Sequence, residues 1–297
     1  MSLPPLALAR PATVAAATEL LRRDGARALA GGQSLVPLLA ARLTPAPTLL
    51  VDLGALPGLD AIARDDDGWL RIGALARQRA AERSPLVAAH APLLAQALAL
   101  VGHPSTRNRG TVVGSVAHAD PAAELPAVAV ALDGVAVVAG PGGARRETPV
   151  AALIAGPGRT TLAPGELIAE LRLAPAAAGE RQVWLEFAPR RFDLPLVGAA
   201  VRLAADGDAR LTLAGYAEAP LDARLGPLGR PALEQADDGG GPARRSRALD
   251  RAAATAAVER LLAAHPPRDD ARAPAALRRR LARTLALRAL AKAAADA

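Results

Sequence analysis

The sequence predicts an α+β protein in two parts, and three observations carry that. Near its start a short strand, a glycine turn, a helix and a second strand follow one another between Arg27 and Leu53. Near residues 174–181 (Ala-Pro-Ala-Ala-Ala-Gly-Glu-Arg) the texture changes, which marks a domain boundary. Beyond it strands come first, at 182–188, 196–204 and 209–216, and helices last, at about 248–264 and 274–294. Strands followed by a run of helices are the pattern of an α+β domain. A chain of 297 residues is long enough for roughly two such domains.

Taken in order, residues 11–23 read as a helix, with Pro11 or Thr13 at its start and Asp24-Gly25 at its stop. Arg27–Ala30 is a strand leading to Gly31-Gly32. The next helix ends near Thr44-Pro45, and Thr48–Leu53 is a strand rich in Leu and Val. Asp65-Asp66-Asp67-Gly68 turns between short strands, the second being Trp69–Gly73. Helices follow at about 75–83 and 85–100, the latter with Leu86, Val87, Leu93, Leu94, Leu98 and Val101 on its apolar side. Val135–Ala139 and Leu167–Leu173 are strands, Pro141–Gly143 and Gly156–Gly158 loops. Asp206-Gly207 turns a hairpin, and residues 235–247, with three glycines in a row, read as a mobile loop.

Composition narrows the function classes. The chain has no cysteine, which excludes disulfides and cysteine-held iron–sulfur or zinc sites. Its four histidines are scattered and offer no metal site. Hydrophobic residues make up 51%, yet no uncharged apolar run reaches the ~20 residues of a membrane span. The N-terminus lacks the basic start and apolar core of a signal peptide, so a cytoplasmic protein is expected. The net charge of +7 follows from arginine spread along the whole chain, with Lys292 the only lysine. With two Phe, two Trp and one Tyr there is little to stack on bases, so no nucleic-acid partner is expected.

Two stretches carry chemistry. The first is Leu29–Leu43, where Ala30-Gly31-Gly32-Gln33-Ser34-Leu35 joins a strand to a helix. The glycines let a ligand approach the main chain, Ser34 is a suitable N-cap, and Pro37 falls in the first turn. The free N–H groups of such a turn attract phosphate. The same pattern also serves as an ordinary turn. The second stretch, Val101–Pro126, is dense in Gly, Asn, Ser, His and Asp and has no clean period. Thr111, Gly114 and Ser115 offer hydroxyls and N–H groups to phosphate. Glu124, before a helix, offers an acceptor to a ribose hydroxyl or an adenine amine. His118 and Asp120 share a face if the backbone is extended there, and read either as an acid–base pair or as loop-satisfying residues.

Together the stretches resemble a known family. Ala30–Pro37 (Ala-Gly-Gly-Gln-Ser-Leu-Val-Pro), then Arg107–Ser115 (Arg-Asn-Arg-Gly-Thr-Val-Val-Gly-Ser) and His118–Pro126 (His-Ala-Asp-Pro-Ala-Ala-Glu-Leu-Pro), resemble the FAD-binding medium subunit of molybdenum hydroxylases. The carbon monoxide dehydrogenase group is the nearest in look. Val51-Asp52-Leu53, Ile72-Gly73-Ala74, Pro164–Ile168, Arg190–Gly198 and Leu277–Ala282 fit in the same order.

The resemblance implies an FAD-binding domain of the vanillyl-alcohol-oxidase (PCMH) type at 1–176, in two α+β lobes of about 1–54 and 55–176. A smaller α+β domain follows at 177–297. It implies an oxidoreductase subunit with non-covalent FAD. A small subunit would hold [2Fe–2S] clusters and a large one molybdopterin, the whole a dimer of heterotrimers. By resemblance the first pyrophosphate loop falls on Ala30, Gly31, Gly32, Gln33, Ser34 and Leu35, and the second on Thr111, Val113, Gly114 and Ser115. The nucleotide's acidic residue falls on Glu124, with Asp120 nearby, and the side chain against the flavin ring on Leu194. No catalytic acid, base or metal ligand is implied.

Departures from the pattern set further expectations. Val113-Gly114 stands where the family has Gly-Gly. Either Val113 is strained, or the loop has shifted so that Gly114 alone turns while Thr111 and Ser115 offer hydroxyls; the shifted loop is the expectation. Phe192 replaces a Gly and Leu277 a Tyr. The last helix is expected to present Leu277, Leu281, Leu285 and Leu290 on one side and Arg278, Arg279, Arg280, Arg283 and Arg288 around the rest. Two alternatives remain open. One is a free-standing flavin oxidase with flavin attached through His103 or His118. The other is a degenerate subunit that binds little FAD.

Overall fold

The structure, a computed structural model, describes residues 5–228 and 249–295. Its first sheet is small and parallel. Strands β1 (Ala7–Ala9), β2 (Ala26–Leu29) and β3 (Leu49–Asp52) lie in the order β1-β3-β2, with Ala7 and Ala26 both level with Leu49. Helix α1 (Val14–Leu21) joins the first two, and the Thr13 hydroxyl caps it by accepting from Ala16 N–H at 3.1 Å. Helix α2 (Leu35–Ala40) joins the second and third. Ala17, Leu21, Val51 and Leu53 form the small core between them.

The second sheet is antiparallel. Its strands are β4 (Ile62–Arg64), β5 (Leu70–Gly73), β6 (Val135–Ala139), β7 (Arg145–Pro149) and β10 (Leu167–Leu173), ordered β4-β5-β10-β6-β7. The small β8 (Ile154–Gly156) and β9 (Arg159–Thr160) form a hairpin after helix α9 (Val150–Leu153). Between β5 and β6 the chain packs six helices against one face. These are α3 (Gln78–Glu82), α4 (Pro85–His90), α5 (Pro92–Leu98), α6 (Pro104–Arg109), α7 (Val112–His118) and α8 (Glu124–Ala131).

Residues 85–100, expected as one helix, are two. Pro92 bars helical angles at the preceding residue, and Ala91 sits at φ −141°, ψ 62°. The period-free stretch 101–126 is likewise mostly helical. Its helices are too short, or in α8 too fully buried, to show a polar side.

The third sheet is an antiparallel meander of β11 (Arg181–Phe187), β12 (Val197–Leu203), β13 (Asp208–Ala214) and β14 (Leu221–Pro227), the last not foreseen. Helices α10 (Arg251–Ala264) and α11 (Ala275–Ala295) pack with it around Val197, Val201, Leu211, Leu213, Leu262 and Leu290. Its other side closes on α8. Trp184, Ala200 and Ala214 belong to the same core as Leu125, Val128 and Leu132. Arg202 fixes this junction, donating to Ala131 O at 2.9 Å and pairing with Glu180 at 2.9 Å and Asp133 at 2.6 Å. The loop expected over 235–247 lies outside the described residues. Among the described residues no helix is long and apolar enough to cross a membrane.

Candidate functional site

Strand β2 delivers Ala30-Gly31-Gly32-Gln33-Ser34 to the start of α2. Gly32 takes φ +72°, a left-handed angle that a side chain resists. Gly31 is needed for another reason. A Cβ there would stand 2.4 Å from Arg109 O and 2.8 Å from Gly110 Cα. The two glycine loops therefore meet main chain to main chain, far apart in sequence. Arg77 fastens the contact by donating through Nη1 to Arg109 O.

Among the described residues the N–H groups of Gly32, Gln33, Ser34 and Leu35 meet no protein acceptor, while Val36 N–H opens the helical ladder on Gly32 O at 3.1 Å. Gln33 turns its amide back onto Gly31 O at 3.2 Å. Ser34 does not cap with its side chain as expected. It already holds helical angles, φ −105° and ψ −52°, and makes no side-chain capping bond. Capping needs an extended residue, and Ser34 has turned too early to reach back.

The second loop turns at Gly110-Thr111, not at Gly114. Thr111 is extended and its Oγ1 accepts from Gly114 N–H at 2.9 Å, capping α7. A Cβ on Gly114 would stand 2.5 Å from that oxygen, so the glycine admits the cap. Val113 is an ordinary residue of this helix, 3% exposed, with its side chain in the core beside Val112 and Val116. Neither the strained Val113 nor a turn at Gly114 holds, because both residues lie inside α7. Only the main chain of Val113 faces the helix start. Ser115 is half-buried one turn after Thr111.

Sequence reasoning missed the support beneath this loop. Gln78 N–H donates to Gly110 O at 2.9 Å, Val112 N–H donates to Ala76 O at 3.2 Å, and Arg77 bridges to Thr111. Nothing in the linear pattern around Ala76-Arg77-Gln78 signals that role.

After α7 the chain turns at Ala119, φ +52°. His118 ends the helix and Asp120 follows the turn, so they do not share a strand face. The Asp120 carboxylate accepts from Ala122 N–H at 2.8 Å, a loop-satisfying role. Glu124 then opens α8, only 2% exposed. Burial pushes its carboxyl up to about 8, helped by the charges of Glu186 and Asp120. At neutral pH it is chiefly a neutral acid, able to donate one hydrogen bond and accept another. Burial also pushes Glu186 up, against the bond it accepts from Trp184 Nε1–H at 2.8 Å.

Leu194 lies in the loop between β11 and β12, remote in sequence from both glycine loops. It is 42% exposed, unusual for a large aliphatic side chain. Its carbonyl accepts from Arg272 at 2.5 Å. Phe192, in the same loop, takes φ +71°. Its ring lies 5.1 Å from that of His103, which precedes α6, and so carries this loop toward the helix that ends at the glycine contact.

Residues 4–176 match the family described as FAD binding domain in molybdopterin dehydrogenase. The chain belongs to this family. It is 31% identical over 284 residues to the carbon monoxide dehydrogenase medium chain of Hydrogenophaga pseudoflava, covering 94% of each. It is 40% identical over 197 residues to the 6-hydroxypseudooxynicotine dehydrogenase complex subunit alpha of Paenarthrobacter nicotinovorans, covering 65% of this chain and 66% of that one. Among solved structures, quinoline 2-oxidoreductase from Pseudomonas putida 86 superposes with a TM-score of 0.85 at 30% identity, over 100% of this chain and 99% of that one. The chain is thus related to medium subunits of oxidoreductases. FAD fits the residues present. The free N–H groups at Gly32–Leu35 suit a pyrophosphate, and the side-chain-free contact at Gly31 holds the two loops in place for it.

Proposed function

We propose that this chain is the FAD-carrying electron-transfer subunit of a molybdenum hydroxylase. It takes electrons from [2Fe–2S] clusters of a small partner subunit and passes them to an external acceptor. Substrate oxidation falls to a large molybdopterin subunit, and the assembly is a dimer of heterotrimers in the cytoplasm. Bound flavin supplies the redox chemistry; the protein's task is to bind, orient and tune it. The chain itself has no cysteine with which to hold a cluster.

The observation that carries the reading is the main-chain contact of Gly31 with Arg109-Gly110 beside the free N–H groups of Gly32–Leu35. Ala30–Leu35 hold the pyrophosphate from one side. The hydroxyls of Thr111 and Ser115 hold it from the other, with Val113 contributing main chain only and Gly114 serving by leaving room for the Thr111 cap. Glu124, as a neutral acid, hydrogen-bonds the nucleotide portion, and Asp120 shapes the loop before it. Leu194 covers the flavin ring with its exposed aliphatic side chain. The FAD-binding domain spans 1–176 and the C-terminal domain 177–297, a division supported by the separate third sheet and its own core.

Purification of the full chain with its partner subunits tests this. The complex is expected to be yellow, and acid precipitation to release the flavin into the supernatant. Flavin retained in the pellet means covalent attachment and overturns the non-covalent reading. Gly32→Val is expected to abolish binding, because it strains a φ of +72° and crowds Val36 and Leu29, which moves the turn that carries the free N–H groups.

A further inference from the structure

The family match ends at residue 176, yet a segment a hundred residues further on grips both sides of the proposed site. Arg278, in the first turn of α11, is completely buried. Its Nη1 donates to Leu196 O at 2.8 Å and to Gly215 O at 2.5 Å. Its Nη2 donates to Asp270 at 2.7 Å, and Asp270 also accepts from the N–H groups of Arg272 and Ala273. Arg272 reaches out to Leu194 O at 2.5 Å. Arg268 N–H donates to Tyr216 O at 2.7 Å.

One further bond carries this network into the other domain. Gly215, whose carbonyl Arg278 holds, donates its N–H to Pro121 O at 2.6 Å. Gly215 itself sits at φ +71°, where a Cβ would stand 2.4 Å from Leu196 O. The loop containing Leu194 and the loop from Asp120 to Glu124 are therefore both fixed relative to one guanidinium. An arginine suits this place, since its planar fork serves several acceptors at once and a lysine offers only one compact charge.

We infer that the segment Arg268–Arg278 is a strap that sets the geometry of the flavin site, with Arg278 and Arg272 as positioning residues. The inference rests on the proposal that Leu194 and Glu124 face FAD. Arg272 and Arg278 hold carbonyls on both sides of Pro195 and so fix the direction of the Leu194 side chain. Through Gly215, Arg278 ties that direction to the loop that presents Glu124. The strap touches no reacting atom; it acts through the two loops.

The test uses the full chain with its partner subunits, as Arg278→Lys, Arg272→Ala and a control, Leu261→Ala, which opens a cavity in the core under α10 and removes no hydrogen bond of the strap. Arg272 is exposed, so its variant keeps the test informative should Arg278→Lys fold poorly. Backbone hydrogen exchange and titration of the flavin-stripped protein with FAD are the readouts. Arg278→Lys is expected to raise exchange in residues 193–197 and 119–124 together and to weaken FAD by about tenfold. Arg272→Ala should raise exchange only near Leu194, with a smaller loss of affinity and an altered flavin absorbance band. Leu261→Ala should lower the melting temperature and leave FAD affinity unchanged. If exchange in 119–124 does not respond to Arg278→Lys, the coupling is refuted. If FAD affinity and absorbance are unchanged in both arginine variants, or fall equally in the control, the strap is a structural anchor only. A wild-type chain that takes up no FAD overturns the site itself, while the exchange data still decide whether the two loops are coupled.

Discussion

Gly31 and Gly32 occupy one turn for different reasons, and substitution separates them. Gly31→Ala places a methyl group against the Arg109 carbonyl, which is backbone and has little room to retreat. The two loops must part, and FAD affinity is expected to fall by at least about tenfold in a fluorescence titration. Gly32→Ala meets nothing closer than Val36 Cγ2 at 3.3 Å, so its penalty is mainly the strained φ, about 1 kcal/mol, read in the melting temperature. Val113 shows the converse. In sequence it breaks a glycine pair; in the fold it is a helical core residue. Val113→Gly is expected to destabilise the chain by about 3 kcal/mol, through lost burial and a glycine inside a helix, with no gain in FAD affinity. A clear gain would revive strain at this residue. Glu124 gives a pH signature. Its carboxyl is raised from 4.5 to about 8 in the folded chain. Between those values the folded state holds a proton that the unfolded state has lost. The contribution is thus fully present below about 4.5 and lost as pH rises through about 8. In that window stability should fall by roughly 1 kcal/mol per pH unit, and Glu124→Gln should flatten the slope in urea titrations across pH 5–8.

At the scale of elements, legibility followed length and turn signals. Strands rich in branched residues and bounded by a turn signal, such as β5, β10 and the β12–β13 hairpin, stand in the sequence almost as they stand in the fold. Stretch 101–126 does not. Helices α6 and α7 have six and seven residues, too few for a period, and α8 is buried on every side, so no polar face marks it. The glycine loops were legible because their residue types are unusual. The supports at Arg77, Gln78 and Gly215 were not, because each acts through main chain that only the fold brings near. Helix α11 mixes both cases. Leu285 and Leu290 are buried as its pattern suggests, but Arg278, expected at its surface, is completely buried. A buried arginine is invisible in sequence because its partners are carbonyls of other segments. The arginines left exposed are Arg279, Arg280, Arg283 and Arg288, of which Arg283 pairs with Glu259. If this face meets an acidic patch on a partner subunit, Arg279→Glu with Arg280→Glu should loosen the complex on size exclusion. The effect should be larger in low salt than in high, because screening already weakens the native contact at high salt. Unchanged assembly would place the partner interface elsewhere.

At the scale of the molecule, the three larger sheets are joined by two seams. One lies between the first and second sheets, where Leu21 and Val51 share a core with Leu75, Ala139 and Leu167 and the glycine loops meet. The other is the packing of α8 between the second sheet's helices and the third sheet. The second seam is true core, not a docked surface. Every residue of α8 is buried, and Trp184, Ala200 and Ala214 complete its surroundings from the C-terminal side. Polar groups cross the same seam. Gln96 donates to Gln182 O at 2.9 Å and accepts from Trp184 N–H at 3.0 Å, and Gln182 accepts from Leu93 N–H at 3.1 Å. The region matching the family, residues 4–176, therefore leaves one wall of its own core to the remainder of the chain. A fragment of residues 1–176 would expose the apolar side of α8 and strand these polar groups. Exposed apolar surface of that extent favours association or a loosely packed state. The fragment is expected to be insoluble, or to bind the dye ANS and no FAD, although it contains both glycine loops and Glu124. The full chain, by contrast, should unfold in urea as one transition, with fluorescence changes at Trp69 and Trp184 coinciding when each is followed in the variant lacking the other. A soluble fragment that binds FAD like the full chain, or two separated transitions, would show that the α8 seam is an interface between independent domains and would remove the physical basis for a C-terminal strap that shapes the flavin site.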